Sequence, residues 1–140
     1  MLTRKFSFTD WDGNPREETW YFNLSDAELT EWELSESGGL TSYIQRIQET
    51  QDVPKLIDLY KQIIMKTVGK KDADGRRFRK SPEITQEFME TGAYSELYME
   101  LATKADAGAT FINSLISDKL RAAVEENGGL PTVNHPALNK

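Results

Sequence analysis

The stretch Tyr21-Phe22-Asn23-Leu24-Ser25-Asp26-Ala27-Glu28-Leu29 contains a change of period. Trp20, Phe22 and Leu24 are apolar at every second residue, the spacing of one face of a β-strand. Ser25 and Glu28 then stand three apart, as a capping box requires: the serine hydroxyl accepts from the glutamate N–H and the glutamate carboxylate reaches back to the serine N–H. Leu24 and Leu29 flank the box at the positions of a hydrophobic staple. A strand is therefore expected to turn directly into a helix at Ser25.

Upstream, Leu2, Phe6 and Phe8 repeat the two-residue period, and Asp10-Trp11-Asp12-Gly13-Asn14-Pro15 lies between the two runs. Gly13 tolerates positive φ and Pro15 cannot donate to a ladder, so this is turn chemistry. The reading is an antiparallel hairpin with one aromatic face. A lone hairpin is marginal in water, so that face must pack on helices or on another subunit.

Downstream the period becomes helical. Gly38-Gly39 ends the first helix. Leu40, Tyr43, Ile44 and Ile47 form one apolar stripe. Asp52 caps the next helix, with Pro54 in its first turn, Val53, Leu56, Ile57, Tyr60, Ile63 and Ile64 on its buried side, and Gly69 as its stop. Ser81-Pro82-Glu83 starts a short helix bearing Ile84 and Phe88, and Gly92 separates it from one bearing Tyr94, Leu97, Tyr98 and Leu101. A last helix covers Ala105 to Ile116 and extends more weakly to Asn127, before Gly128-Gly129. The expected fold is α+β: an N-terminal antiparallel β-hairpin followed by a compact bundle of about five to six α-helices. Residues 1–129 form one domain and residues 130–140, with Pro131 and Pro136, a flexible tail.

At 140 residues the chain is long enough to bury a core without disulfide or metal, and it contains no cysteine. Its start lacks the apolar segment of a signal peptide, and no apolar run approaches the ~20 residues of a membrane span. A cytosolic protein with no membrane partner is expected. The net charge of −6 would repel phosphate backbones, so no nucleic acid is expected either. The charge is uneven. Between Lys66 and Lys80 stand seven basic residues and two acidic ones, so this segment carries +5 and the remainder −11.

Few residues suit chemistry. His135, the one histidine, lies in the expected tail, where it cannot be held against a substrate. Asp72-Ala73-Asp74-Gly75 has the glycine of a calcium loop, but the twelve-residue frame would begin at Lys70 and end at Ser81, neither of which fits. Gly69-Lys70 lacks the rest of a phosphate loop. No enzyme activity, cofactor or metal is expected.

Two features suit protein binding. Arg76, Arg77, Arg79 and Lys80 surround Phe78, and this patch reads either as a docking site for an acidic partner or as a solvated loop offsetting an acidic body. Trp11 at the hairpin turn and Tyr21 on the face opposite Trp20 and Phe22 are candidates for a subunit contact.

Tyr21 to Leu29, Ser37-Gly38-Gly39-Leu40, Asp74-Gly75-Arg76-Arg77-Phe78-Arg79-Lys80-Ser81 and, most closely, Thr91 to Asn113 (TGAYSELYMELATKADAGATFIN) follow one another in an order that resembles the small tail assembly chaperones of long-tailed, siphovirus-like bacteriophages. The resemblance runs from the first strand to about Ile116. It implies a homo-oligomeric assembly factor in the cytoplasm of the infected bacterial host, absent from the mature virion. Its partners would be the tape measure protein, kept soluble by the coat of chaperone, and the tail tube protein, recruited around it. It brings no catalytic residues. A structural tail or connector component of the virion is the competing expectation.

Overall fold

The computed structural model describes residues 1–36, 39, 42–43, 46, 49–50, 52–104 and 106–115. The hairpin forms as its period requires. Strands β1 (Leu2–Thr9) and β2 (Pro15–Phe22) pair antiparallel, with Leu2 opposite Phe22 and Thr9 opposite Pro15. Asp10 closes the turn: its carboxylate accepts from the N–H groups of Asp12 (3.0 Å) and Asn14 (2.9 Å) and from Arg16 Nε (2.8 Å). The Arg16 guanidinium and then the Asn14 N–H hold this carboxyl below its usual range.

Helix α1 (Asp26–Ser35) begins with the full capping box. Glu28 N–H donates to Ser25 Oγ (3.1 Å) and Ser25 N–H to Glu28 Oε1 (3.0 Å). Helix α2 (Val53–Thr67) starts at Asp52, whose carboxylate accepts from Lys55 N–H (3.1 Å). The stripe expected at Leu40, Ile44 and Ile47 lies outside the described residues, apart from Tyr43.

The first correction comes at the end of α2. Gly69 does not stop the helix into a loop. Helix gives way to strand β3 (Val68–Lys71) without a linker, and β4 (Phe78–Arg79) pairs back on it. Val68 pairs with Phe22 and Gly69 with Tyr21, so the sheet has four strands in the order β1-β2-β3-β4. Edge pairing outweighs the helix-stop signal here: β2 needs a partner for its last backbone groups, and Asn23 N–H continues the line to Thr67 O (2.9 Å). Asp72–Gly75 is the tight turn between β3 and β4, with Gly75 N–H donating to Asp72 O (2.9 Å).

Three more helices follow: α3 (Pro82–Met89), capped by Ser81, α4 (Gly92–Thr103), capped by Thr91, and α5 (Ala107–Leu115). The expected α+β class with its N-terminal hairpin is present, and the lone hairpin beside a helical bundle is corrected to a four-stranded sheet covered by helices. Among the described residues the helical body comprises the five helices α1–α5, and it forms a layer over one face of the four-stranded sheet. The helix expected beyond Leu115 and the tail at 130–140, with His135, lie outside the described residues.

Phe88 sits where the layers meet. Its ring centroid lies 6.0 Å from Phe6, 5.0 Å from Trp20, 5.6 Å from Phe22 and 6.0 Å from Tyr94, mostly edge to face. Phe22 adds Phe111 at 5.5 Å. Helix α4 runs beneath β1, with Gly92 against Phe8 and Glu100 bound to Arg4 (2.7 Å). Eight residues of helix and four of strand cover nearly the same length, so the two contacts share one alignment.

The Tyr60 hydroxyl is buried against Gly108 with no hydrogen-bond partner among the described residues. Burial pushes it up to about 12. An unpaired buried hydroxyl costs stability, so Tyr60→Phe should raise the unfolding free energy by about 1 kcal/mol in urea titrations at neutral pH. The pH dependence follows from the raised value. Above about pH 10 the unfolded tyrosine ionises while the folded one stays neutral, so its share of stability is intact below pH 10 and lost as pH rises towards 12. Tyr60→Phe should remove that share of the alkaline loss.

Candidate protein-binding surface

Register decides what each residue of the basic segment faces. Phe22 and Val68 are opposite one another and fully buried, so their side of the sheet is the core side. Their neighbours Tyr21 and Gly69 then point to the outer side, as does Lys71 two residues on. Lys71 pairs with Phe78, which carries Phe78 to the outer side as well. Tyr21 and Phe78, far apart in sequence, thus share one face, separated by Gly69 and Lys71.

Gly69 makes this arrangement possible. A Cβ there would lie 2.7 Å from Phe78 Cζ and 2.5 Å from the Arg79 carbonyl oxygen. The Phe78 ring lies across the bare glycine backbone and buries it. Lys71 Nζ stands 5.4 Å from the Tyr21 ring centroid and Lys80 Nζ 6.0 Å from that of Phe78. Aromatic rings and cations alternate across the outer face, each close enough for cation–π attraction.

The seven cations divide by task. Lys80 bonds inward: its ammonium donates to Asn23 O (3.1 Å) and Lys66 O (3.0 Å) and forms an ion pair with Glu28. Burial alone would push the Glu28 carboxyl up; the Lys80 ammonium and the Ser25 N–H outweigh it and hold the group below its usual range. Arg79 pairs with Asp72 (2.7 Å) and Lys70 with Glu87 (2.6 Å). Lys66 stands 5.0 Å from the Trp32 ring centroid. Arg76 and Arg77 are exposed at the hairpin tip, and among the described residues neither guanidinium has a partner.

The sequence-derived candidates therefore separate. Tyr21, Phe78, Arg76 and Arg77 lie on or beside one face. Arg79 and Lys80 border it but are engaged within the chain. Trp11 is elsewhere: it is 88 % exposed at the β1–β2 turn, with its indole N–H on Glu90 O (3.1 Å). Lys71 belongs to the face and was not among the candidates; finding it requires recognising four residues, Val68–Lys71, as a strand. Among the described residues no group of acidic or histidine side chains could hold a metal ion, and no helix is long and apolar enough to cross a membrane.

A family model described as phage tail assembly chaperone matches residues 1–139. No curated protein and no solved structure matches the chain.

Proposed function

Because the chain belongs to the phage tail assembly chaperone family, we propose that it binds the tape measure protein, keeps it soluble and helps to bring tail tube subunits to it. The observation that supports this reading most is the outer sheet face. Tyr21, Lys71 and Phe78 lie side by side on it, with Arg76 and Arg77, which have no partner among the described residues, at its rim. Rings shielded by cations suit the apolar and acidic side chains of a polypeptide, with the arginine fork able to take carboxylates. Many weak copies of such a contact along one extended client add up through multivalency. In this reading the protein is not an enzyme, works as an oligomer in the cytoplasm of the infected cell and is left out of the finished virion. The net charge of −6 helps to keep a coated client in solution.

Co-expression with the tape measure protein tests it. The wild-type chain should move the client into the soluble fraction as a complex that purifies together. Arg76→Glu with Arg77→Glu should cut the co-purified client at least tenfold and leave the melting temperature unchanged, because neither guanidinium supports the fold. A client that stays insoluble beside the wild-type chain would defeat the proposal.

A further inference from the structure

Strand β1 pairs with β2 on one side and, among the described residues, with nothing on the other. The hairpin turn reveals which backbone groups face that free edge. Asp10 N–H donates to Asn14 O (2.8 Å), which makes Asp10 and Asn14 a hydrogen-bonded pair. The next pair, Thr9 and Pro15, cannot exchange two bonds because proline has no N–H. Bonded pairs alternate with non-bonded ones, so Phe8, Phe6, Arg4 and Leu2 bond to β2. The N–H and C=O groups of Thr3, Lys5, Ser7 and Thr9 point to the open edge. Two of the usual protections of an edge are missing, since the register from Leu2 to Thr9 runs without a bulge and β1 contains no proline; the charges on the strand, Arg4 and Lys5, must therefore be accommodated by the register of any pairing.

We propose that this edge pairs with β1 of a second copy, antiparallel about a twofold axis at Phe6, so that two sheets join into one. Opposed residues in an antiparallel pair share a face, which restricts the register to steps of two. Centred on Phe6, the pairing sets Lys5 against Ser7 of the second copy, Arg4 against its Phe8 and Thr3 against its Thr9. No like charges meet, and the Arg4 guanidinium gains a ring. Centred on Lys5, the same length of strand would oppose two ammonium groups, and centring on Ser7 shortens the ladder. Lys5 is further neutralised by its own Glu17 (3.6 Å). Leu2 and Phe8, half-buried in the single chain, gain cover along the seam. Thr3, Lys5, Ser7 and Thr9 match their counterparts bond for bond, giving a ladder of about eight hydrogen bonds. The inference adds a defined contact between copies to the chaperone reading and does not depend on the client surface.

The chain has no cysteine, so introduced pairs report cleanly. Lys5→Cys with Ser7→Cys should yield disulfide-linked dimers under mild oxidation. Thr3→Cys with Ser7→Cys, matched when the axis is at Lys5 or Ser7 and not when it is at Phe6, should yield at least tenfold less. Ser7→Pro removes an edge N–H and leaves the bonds to β2 alone, so the mass in light scattering should fall from twice 16.0 kDa to 16.0 kDa with an unchanged circular dichroism spectrum. A wild-type chain of 16.0 kDa at about 100 μM, above the range of useful self-association, or preferential cross-linking of the Thr3/Ser7 pair, would overturn the proposal. Insolubility of the tape measure protein beside the wild-type chain would sink the chaperone reading and leave these masses as they are.

Discussion

Phe88→Ala is expected to lower the unfolding free energy by about 3–5 kcal/mol, the range for emptying a buried aromatic position. Typical domains have about 5–15 kcal/mol in total, so the variant should be largely unfolded at 37 °C or melt well below the parent. The size of the effect follows from position. Phe88 is fully buried and touches rings from β1, β2 and α4: Phe6, Trp20, Phe22 and Tyr94. Each edge-to-face pair contributes roughly 0.5–1.5 kcal/mol beyond area, and the cavity cannot collapse without moving the sheet towards the helices. Phe88→Leu refills part of the space and should lose about half as much. Chemical denaturation with tryptophan fluorescence measures both, since Trp20 reports directly on the site. A loss under 1 kcal/mol for alanine would mean that the aromatic cluster is not the centre of the core.

Lys80→Met should cost about 2–3 kcal/mol, although the residue reads from sequence as one more surface cation. Its ammonium joins three elements: the β2–α1 junction at Asn23 O, the last turn of α2 at Lys66 O, and Glu28 in the first turn of α1. A charge-assisted hydrogen bond is worth roughly 1.5–3 kcal/mol, and two carbonyls would lose theirs together. The Glu28 share is discounted because that side chain is 39 % exposed. Methionine keeps the stem and removes only the charge. The acid limb gives an independent reading. Glu28 is held below its ordinary 4.5, so its contribution is present above that pH and fades as pH falls through the lowered value. Without Lys80 that part of the acid sensitivity should shrink. An acid limb identical to the parent's would separate Lys80 from Glu28.

Local signals carried the hairpin and the helix starts. Alternating Trp20 and Phe22, the Ser25/Glu28 box, Asp52 before Pro54 and Ser81 before Pro82 each work through neighbours three or fewer residues away, and the structure contains them as written. The β3–β4 pair was illegible for the opposite reason. Val68–Lys71 has no strand period of its own; it becomes a strand because Tyr21 and Phe22, more than forty residues earlier, present unpaired backbone. The site shows the same division. Phe78 stood out among its cations, but whether it faced the core or solvent depended on the register with Lys71. Lys80 and Arg76 are alike in composition and opposite in role, because only one of them lies within reach of three carbonyl and carboxylate oxygens.

Under the proposed function one strand face serves the core and the other serves contacts, and this has an evolutionary consequence. In Tyr21-Phe22 and Val68-Gly69 the inward residue answers to packing, while its immediate neighbour answers to whatever the sheet meets outside. A lineage whose tail proteins drift can revise Tyr21, Lys71 or Phe78 in small steps and keep melting temperature nearly constant. Gly69 is the exception to that freedom, since any side chain there collides with the Arg79 carbonyl. Specificity is thus free to wander around a position that must stay still.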